Sequence, residues 1–373
     1  MNRRNFLKRA GGTGALIGTG MSCFLMDLYA FGKTANLSMI EAKYYKKLVD
    51  REIECDLCPR TCKLGDKERG YCGVRENMKG TYYTLVYGKA CSVHIDPIEK
   101  KPFFHFLPSS RALSLATAGC NVNCKFCQNW EISQVRPEQV RNIDLSPSLA
   151  ATSAGENRCP VIAYTYSEPI VFYEYMYDTS VEARKRNIRN AVVTGGYINP
   201  DPLLSLLDVV DAIKVDLKSF SEKFYKDYVR GELQPVLEAI KLINKSPVWL
   251  EIVYLVIPTL NDSPDEIKKL SRWIMSEIGP EVPIHFSRFH PMYLLKNLPP
   301  TPISILERTR RIAMEEGLQY VYIGNVPGHE AEDTICPKCH RIVLQRSGYL
   351  VQKLEILNEK CRFCGHPIPG VWS

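Results

Sequence analysis

Fourteen of the 373 residues are cysteines, and eleven of them fall into three short groups. Cys336, Cys339, Cys361 and Cys364 make two Cys-x2-Cys pairs with 21 residues between them. Each short loop turns two thiolates toward one point, and two such loops together build the tetrahedral sulfur site of a zinc ribbon. A disulfide pair and a rubredoxin-like iron site are the competing readings. Cys55, Cys58, Cys62 and Cys72, at x2, x3 and x9 spacing, are enough to close a second site, holding either zinc or an auxiliary iron–sulfur cluster. Cys120, Cys124 and Cys127, at x3 and x2 spacing, are different: this loop offers three thiolates and no fourth nearby. A four-iron cluster normally takes four. Three leave one iron open to an outside ligand, as catalytic metal sites do and structural ones do not. Cys23, Cys91 and Cys159 stand alone.

The three-cysteine loop follows a strand-like run, Ala112 to Thr117, and a flexible entry at Ala118-Gly119. It therefore sits at the C-terminal end of a strand, the catalytic end of an α/β barrel. Downstream, strand-like segments at 161–165, 191–194, 212–217, 250–257, 284–286 and 320–323 alternate with helical patterns at 168–186, 233–245, 264–278 and 303–316. Such alternation predicts a parallel sheet. The fold class expected is α/β: a partial (βα)6 TIM-like barrel with one added strand, a Cys-rich N-terminal segment and a small C-terminal zinc-ribbon-like module. The expected boundaries are 1–32, 33–110, 111–328 and 329–373. Polar residues cluster just past the strands. Glu168 and Pro169 follow the second strand, Thr194 and Gly195 the third, Asp216 and Lys218 the fourth, and His290 the sixth. Glycines at 195 and 196 would let backbone approach a ligand closely. Each has a structural alternative: a helix N-terminal acid at Glu168, a tight turn at Gly195, a buried ion pair at Asp216 and Lys218, a structural imidazole at His290. The aromatic run from Tyr164 to Tyr177 is expected to be core, and Lys100-Lys101 solvated charge.

Gly119-Cys120-Asn121-x-x-Cys124-x-Phe126-Cys127-Gln128-Asn129 resembles the radical S-adenosylmethionine (SAM) superfamily, in its pyruvate formate-lyase activating enzyme branch; an aromatic residue before the third cysteine, here Phe126, belongs to that pattern. Within the branch, the stretch from Asp96 to Pro108, with the N-terminal cysteine group and the C-terminal pairs, resembles the AmmeMemoRadiSam-system radical SAM enzymes. The resemblance implies a [4Fe–4S] cluster on Cys120, Cys124 and Cys127 and SAM chelating its open iron. It further implies reductive cleavage of SAM to a 5′-deoxyadenosyl radical that takes hydrogen from a substrate, in the wider branch a partner enzyme. It carries the SAM amino-group contact to Glu168 and further SAM contacts to Asp216 and Lys218. An arginine frequent on the branch's fifth strand is replaced here by Val253. An electron donor such as flavodoxin or ferredoxin is the implied partner.

Composition agrees with a large enzyme. Hydrophobic residues at 45% and charged residues at 24% exclude a disordered or fibrous chain. Met1 to Arg9 places two adjacent arginines before an apolar, glycine-rich stretch to Gly32, a pattern that resembles a twin-arginine export signal. Asp27 and the glycines argue against a stable membrane span. That segment carries +3 of the +7 net charge, leaving +4, too little to argue for nucleic acid. Export points to the periplasm, whereas SAM and low-potential electrons point to the cytoplasm. Two other classes compete with a radical enzyme: an iron–sulfur electron carrier, which needs a fourth ligand at the central loop, and a nucleic-acid-binding ribbon, which needs a basic face.

Overall fold

The computed structural model describes residues 36–373; the twin-arginine pair, the expected 1–32 segment and Cys23 lie outside them. Eight strands form the central sheet: β1 (Ser92–Pro97), β2 (Arg111–Ala116), β3 (Val161–Tyr164), β4 (Arg189–Thr194), β5 (Ala212–Asp216), β6 (Trp249–Val256), β7 (Ile284–Arg288) and β8 (Val321–Gly324). They lie side by side in chain order, β2 to β8 parallel and β1 antiparallel on the edge of β2. A doubly wound sheet reverses its strand order at a switch point. This one never does, so each right-handed crossover is packed on the same side, as in a barrel. β1 and β8 do not pair with each other, and the sheet stays open.

The crossovers are α1 (Pro147–Glu156), α2 (Tyr173–Arg184), α3 (Pro200–Leu207), α4 (Leu233–Asn244), α5 (Pro264–Glu277) and α6 (Ile303–Glu315). Three begin at proline, which costs nothing at a first helical position whose N–H has no partner anyway. Ser146 and Ser263 cap α1 and α5 by accepting from Leu149 N at 3.3 Å and Glu266 N at 3.2 Å.

One alternation of side chains positions the site. On β6, Glu251, Val253 and Leu255 share a face, as do Lys214 and Asp216 on β5 and His285 and Ser287 on β7. The lower members make a buried floor. Glu251 is fully buried and accepts from Phe104 N at 3.0 Å, His105 N at 2.8 Å, Trp249 Nε1 at 3.0 Å and His285 Nε2 at 2.7 Å. Those donors use the whole acceptor capacity of a carboxylate. The upper members line a cavity.

The described residues form one compact unit. The Cys-rich segment contributes two small antiparallel sheets between Ile40 and Thr84. Its expected end at residue 110 does not coincide with a structural break, because β1 is hydrogen-bonded into the central sheet. At the C-terminus β9 (Thr334–Ile335), β10 (Ile342–Ser347) and β11 (Leu350–Leu354) form an antiparallel sheet in that order, in which β10 and β11 make a hairpin. None of the helices among the described residues is long and apolar enough to cross a membrane.

Candidate active site

The loop after β2 carries Cys120, Cys124 and Cys127 into a cavity of about 390 Å³ at the C-terminal end of the sheet. Its path requires glycine at 119: φ there is +98°, and a Cβ would lie 2.8 Å from the Cys72 carbonyl oxygen and 2.5 Å from Val74 Cγ1. Backbone bonds from Asn123 N to Val229 O and Lys125 N to Tyr228 O, each 2.9 Å, fasten the loop to the segment after β5. Asn121 Nδ2 donates to Tyr197 O at 2.7 Å. All three thiols are free. Burial pushes Cys120 up, and pushes Cys124 up to about 12 against the opposing pull of Lys218. Cluster ligands must be thiolates, so loading this loop releases protons.

Nine of the ten residues assigned from sequence to the central site line this cavity: Cys120, Cys124, Phe126, Cys127, Glu168, Thr194, Gly195, Asp216 and Lys218. His290 does not. It is exposed, two residues past the end of β7, and the polar lining on that side comes from Ser287 and Asn325. Glu168 is buried and accepts from Thr194 Oγ1 at 2.6 Å, Gly195 N at 2.8 Å and Ile170 N at 3.2 Å. Burial raises its pKa in spite of those donors. The helix-start and turn roles are therefore real, and they fix the carboxylate at the cavity wall with acceptor capacity left. Asp216 is held between Lys214, in direct contact, and Lys218 Nζ at 3.0 Å. Burial alone would raise its pKa; the two lysines overcome it and hold it at about 2.

Among the lining residues that were not anticipated, four bear on the site's chemistry or access. Lys101, expected to be solvated, is buried with its Nζ 2.6 Å from Asp96 Oδ2 and 3.3 Å from Tyr166 Oη. Tyr166, expected in the core, turns into the cavity on a left-handed backbone (φ +66°) and donates to Asp96. Lys214 was missed although it sits two residues before Asp216, on the same face of a strand. Tyr349, at the tip of the C-terminal hairpin, reaches the cavity from another part of the chain. No local signal could place it there.

The two remaining cysteine groups differ. The sulfurs of Cys336, Cys339, Cys361 and Cys364 all lie within 4.8 Å of one another, Cys336 to Cys364 at 3.6 Å and Cys339 to Cys361 at 3.7 Å. Among the described residues no other group of three or more potential ligands is that tight, Cys55, Cys58, Cys62 and Cys72 included.

Residues 114–273 match the radical SAM superfamily. The chain is 46% identical over 332 residues, 88% of its length and 99% of the relative's, to an uncharacterized protein of Methanocaldococcus jannaschii. It is 22% identical over 223 residues, 55% of this chain and 89% of the relative, to the pyruvate formate-lyase 1-activating enzyme of Escherichia coli K12. Among solved structures, a domain of a pyruvate-formate lyase-activating enzyme from Bacteroides vulgatus aligns with a TM-score of 0.40 at 16% identity, covering 44% of this chain and 98% of that one.

Proposed function

Since the chain belongs to the radical SAM superfamily and is a relative of the pyruvate formate-lyase activating enzymes, we propose that its cavity binds SAM beside a [4Fe–4S] cluster on Cys120, Cys124 and Cys127, for hydrogen abstraction from a substrate presented at the rim. The observation that carries this reading is the convergence of three free thiols with Glu168, Thr194, Gly195, Asp216 and Lys218 on one cavity at the C-terminal end of the sheet. When bound, the cluster supplies the electron that cleaves the SAM sulfonium to methionine and a 5′-deoxyadenosyl radical.

The residues present fit these groups. The three thiols do not draw together as the C-terminal four do, and they leave a four-iron cluster one ligand short. Glu168 keeps an acceptor site for an ammonium, and Ser167 Oγ lines the same wall buried and without a partner. At Gly195 a Cβ would come within 3.3 Å of Glu168 Oε2, so the missing side chain keeps the carboxylate reachable. Asp216 stays ionised at neutral pH and holds Lys218 in place.

A cavity of about 390 Å³ is near the lower end for one small ligand. With SAM inside, the substrate reaches in from the open side, where the exposed Tyr349 and Asn325 contribute to the lining. That arrangement favours a protein substrate, as the names of the activating enzymes indicate for them, and a low-potential flavodoxin or ferredoxin as donor. A finer placement among the AmmeMemoRadiSam-system enzymes rests on the Asp96–Pro108 stretch and the two outer cysteine groups. The C-terminal thiols hold zinc on this reading: a tetrahedron with Zn–S of 2.3 Å has sulfur edges of about 3.8 Å, and the measured pairs are 3.6 and 3.7 Å. The N-terminal arginine pair is proposed as an export address, which fractionation of a tagged chain tests; a full-length product confined to the cytoplasm would overturn it.

Anaerobically reconstituted protein given dithionite and SAM is expected to form 5′-deoxyadenosine, and Cys124→Ala to form none. Equal yields from both would overturn the assignment.

A further inference from the structure

The C-terminal thiols provide a ruler inside the molecule for the N-terminal ones. Four sulfurs on one ion must sit about 3.8 Å apart, and the C-terminal group does. Cys55, Cys58, Cys62 and Cys72 do not close to that spacing; in this they match Cys120, Cys124 and Cys127, not the C-terminal pairs.

They nevertheless converge. Cys55 N donates to Cys62 O at 2.9 Å, and Thr61 N to Cys58 O at 3.1 Å closes the turn between them. Cys72 comes from a separate loop, and its Sγ is 3.7 Å from where a Gly70 Cβ would be. Cys55 and Cys58 are buried, and all four thiols are free. A buried cation, Arg75, lies near Cys55 and Cys72 and would offset thiolate charge.

This group also touches the central loop. The Cys72 carbonyl packs on Gly119, the residue before Cys120. Arg60, between Cys58 and Cys62, donates through Nε to Asn121 O at 2.9 Å. Leu57 O and Asp56 O accept from Asn199 N at 3.1 Å and Asn199 Nδ2 at 2.7 Å, at the start of α3.

We propose that Cys55, Cys58, Cys62 and Cys72 ligate a second iron–sulfur cluster, complete in its four thiolates and set against the loop of the first. With no open iron it binds no substrate. Its chemistry is one-electron exchange: one electron in from a low-potential iron–sulfur or flavin carrier, one electron out to the neighbouring cluster, no bond made or broken. The inference extends the proposed function, and its test separates the two. The full chain, and the variant with Cys120, Cys124 and Cys127 all changed to Ala, are reconstituted anaerobically, and iron and zinc are counted per chain. The expected result is about six to eight irons in the parent and about two to four in the variant, with one zinc in each. Dithionite-reduced parent should give an electron paramagnetic resonance signal broadened by spin–spin interaction, and the variant a narrow one. A Cys55→Ala, Cys58→Ala variant should keep only the central loop's iron. An iron-free triple variant with two zincs per chain would overturn the second cluster and leave the first standing. A triple variant that keeps its iron beside a Cys55→Ala, Cys58→Ala variant that holds none would do the reverse.

Discussion

Lys101 occupies a place few lysines do, buried at a cavity wall and shared between Asp96 and Tyr166. Burial lowers its pKa from 10.5 to about 8, against the opposing pull of Asp96. Between those two values the unfolded chain holds the proton and the folded chain has released it. Stability from this residue therefore rises with pH across that window and is lowest below it. Carbon-13 NMR of ε-labelled lysines is expected to show one resonance titrating near pH 8, absent from Lys101→Met. If every lysine titrates above pH 10, the ammonium is not desolvated. The same residue marks where sequence reasoning stops. Lys100-Lys101 reads as a surface pair because nothing nearby announces that β1 has entered a sheet and turned one of them inward. The convergence of Cys120, Cys124, Cys127, Glu168, Asp216 and Lys218 on one cavity was foreseeable because each sits in a short motif at or just past the end of a strand.

Elements were legible where their pattern is strong. The seven parallel strands and the helices α2, α4, α5 and α6 follow alternating apolar runs and caps, whereas α1, short and rich in alanine and serine, and α3, only eight residues long, did not stand out. Strand β1 was not among the expected strands: Ser92-Val93-His94-Ile95 does alternate polar and apolar, but the strand lies on the sheet edge, where Val93 is only half-buried and Ile95 is exposed. Another hidden tie joins the Cys-rich segment to α2. Arg75 Nη2 donates to both Glu174 oxygens, at 2.8 and 2.6 Å, with both side chains buried. Glu174 Oε1 also accepts from Lys43 N at 2.7 Å. Removing one partner strands the other charge away from water, a loss of about 3–5 kcal/mol. Glu174→Ala is expected to lower stability by that amount in urea unfolding, and Arg75→Met with Glu174→Leu to recover much of it, since a matched apolar pair has no charge to strand. A single variant within about 1 kcal/mol of the parent would mean the pair is effectively solvated.

Across the whole molecule, the C-terminal module is tied to the central sheet at both ends. Below, Arg346 donates to Phe104 O at 2.6 Å and to Glu332 O and Thr334 Oγ1 at 2.9 Å, and its guanidinium lies 4.0 Å from the centre of the Phe104 ring. The chain end adds Val371 N to His105 O and Leu107 N to Val371 O, both 2.7 Å. His105 in turn bonds Tyr322 Oη at 2.6 Å and Pro369 O at 2.7 Å, so the floor carrying Glu251 and His285 is closed partly by residues past 330. Above, Tyr349 stands at the cavity mouth. A module this small has little apolar core of its own; Cys336 and Cys361 lie in the same buried cluster as Phe104, Tyr320 and Tyr322. The four thiols therefore act as its main internal tie, and metal bound to them is folding energy for the floor as well as for the hairpin. With zinc bound there as proposed, stripping it with a chelator under mild denaturant, or Cys361→Ser, is expected to lower Tm by several degrees. It should also shift the emission of Trp249 and Trp372, which lie 6.1 and 5.2 Å from the His105 ring. Protease cutting should begin between 336 and 364, and restored zinc should reverse all three changes. Zinc-free protein with unaltered Tm and emission would show that the floor closes on packing alone.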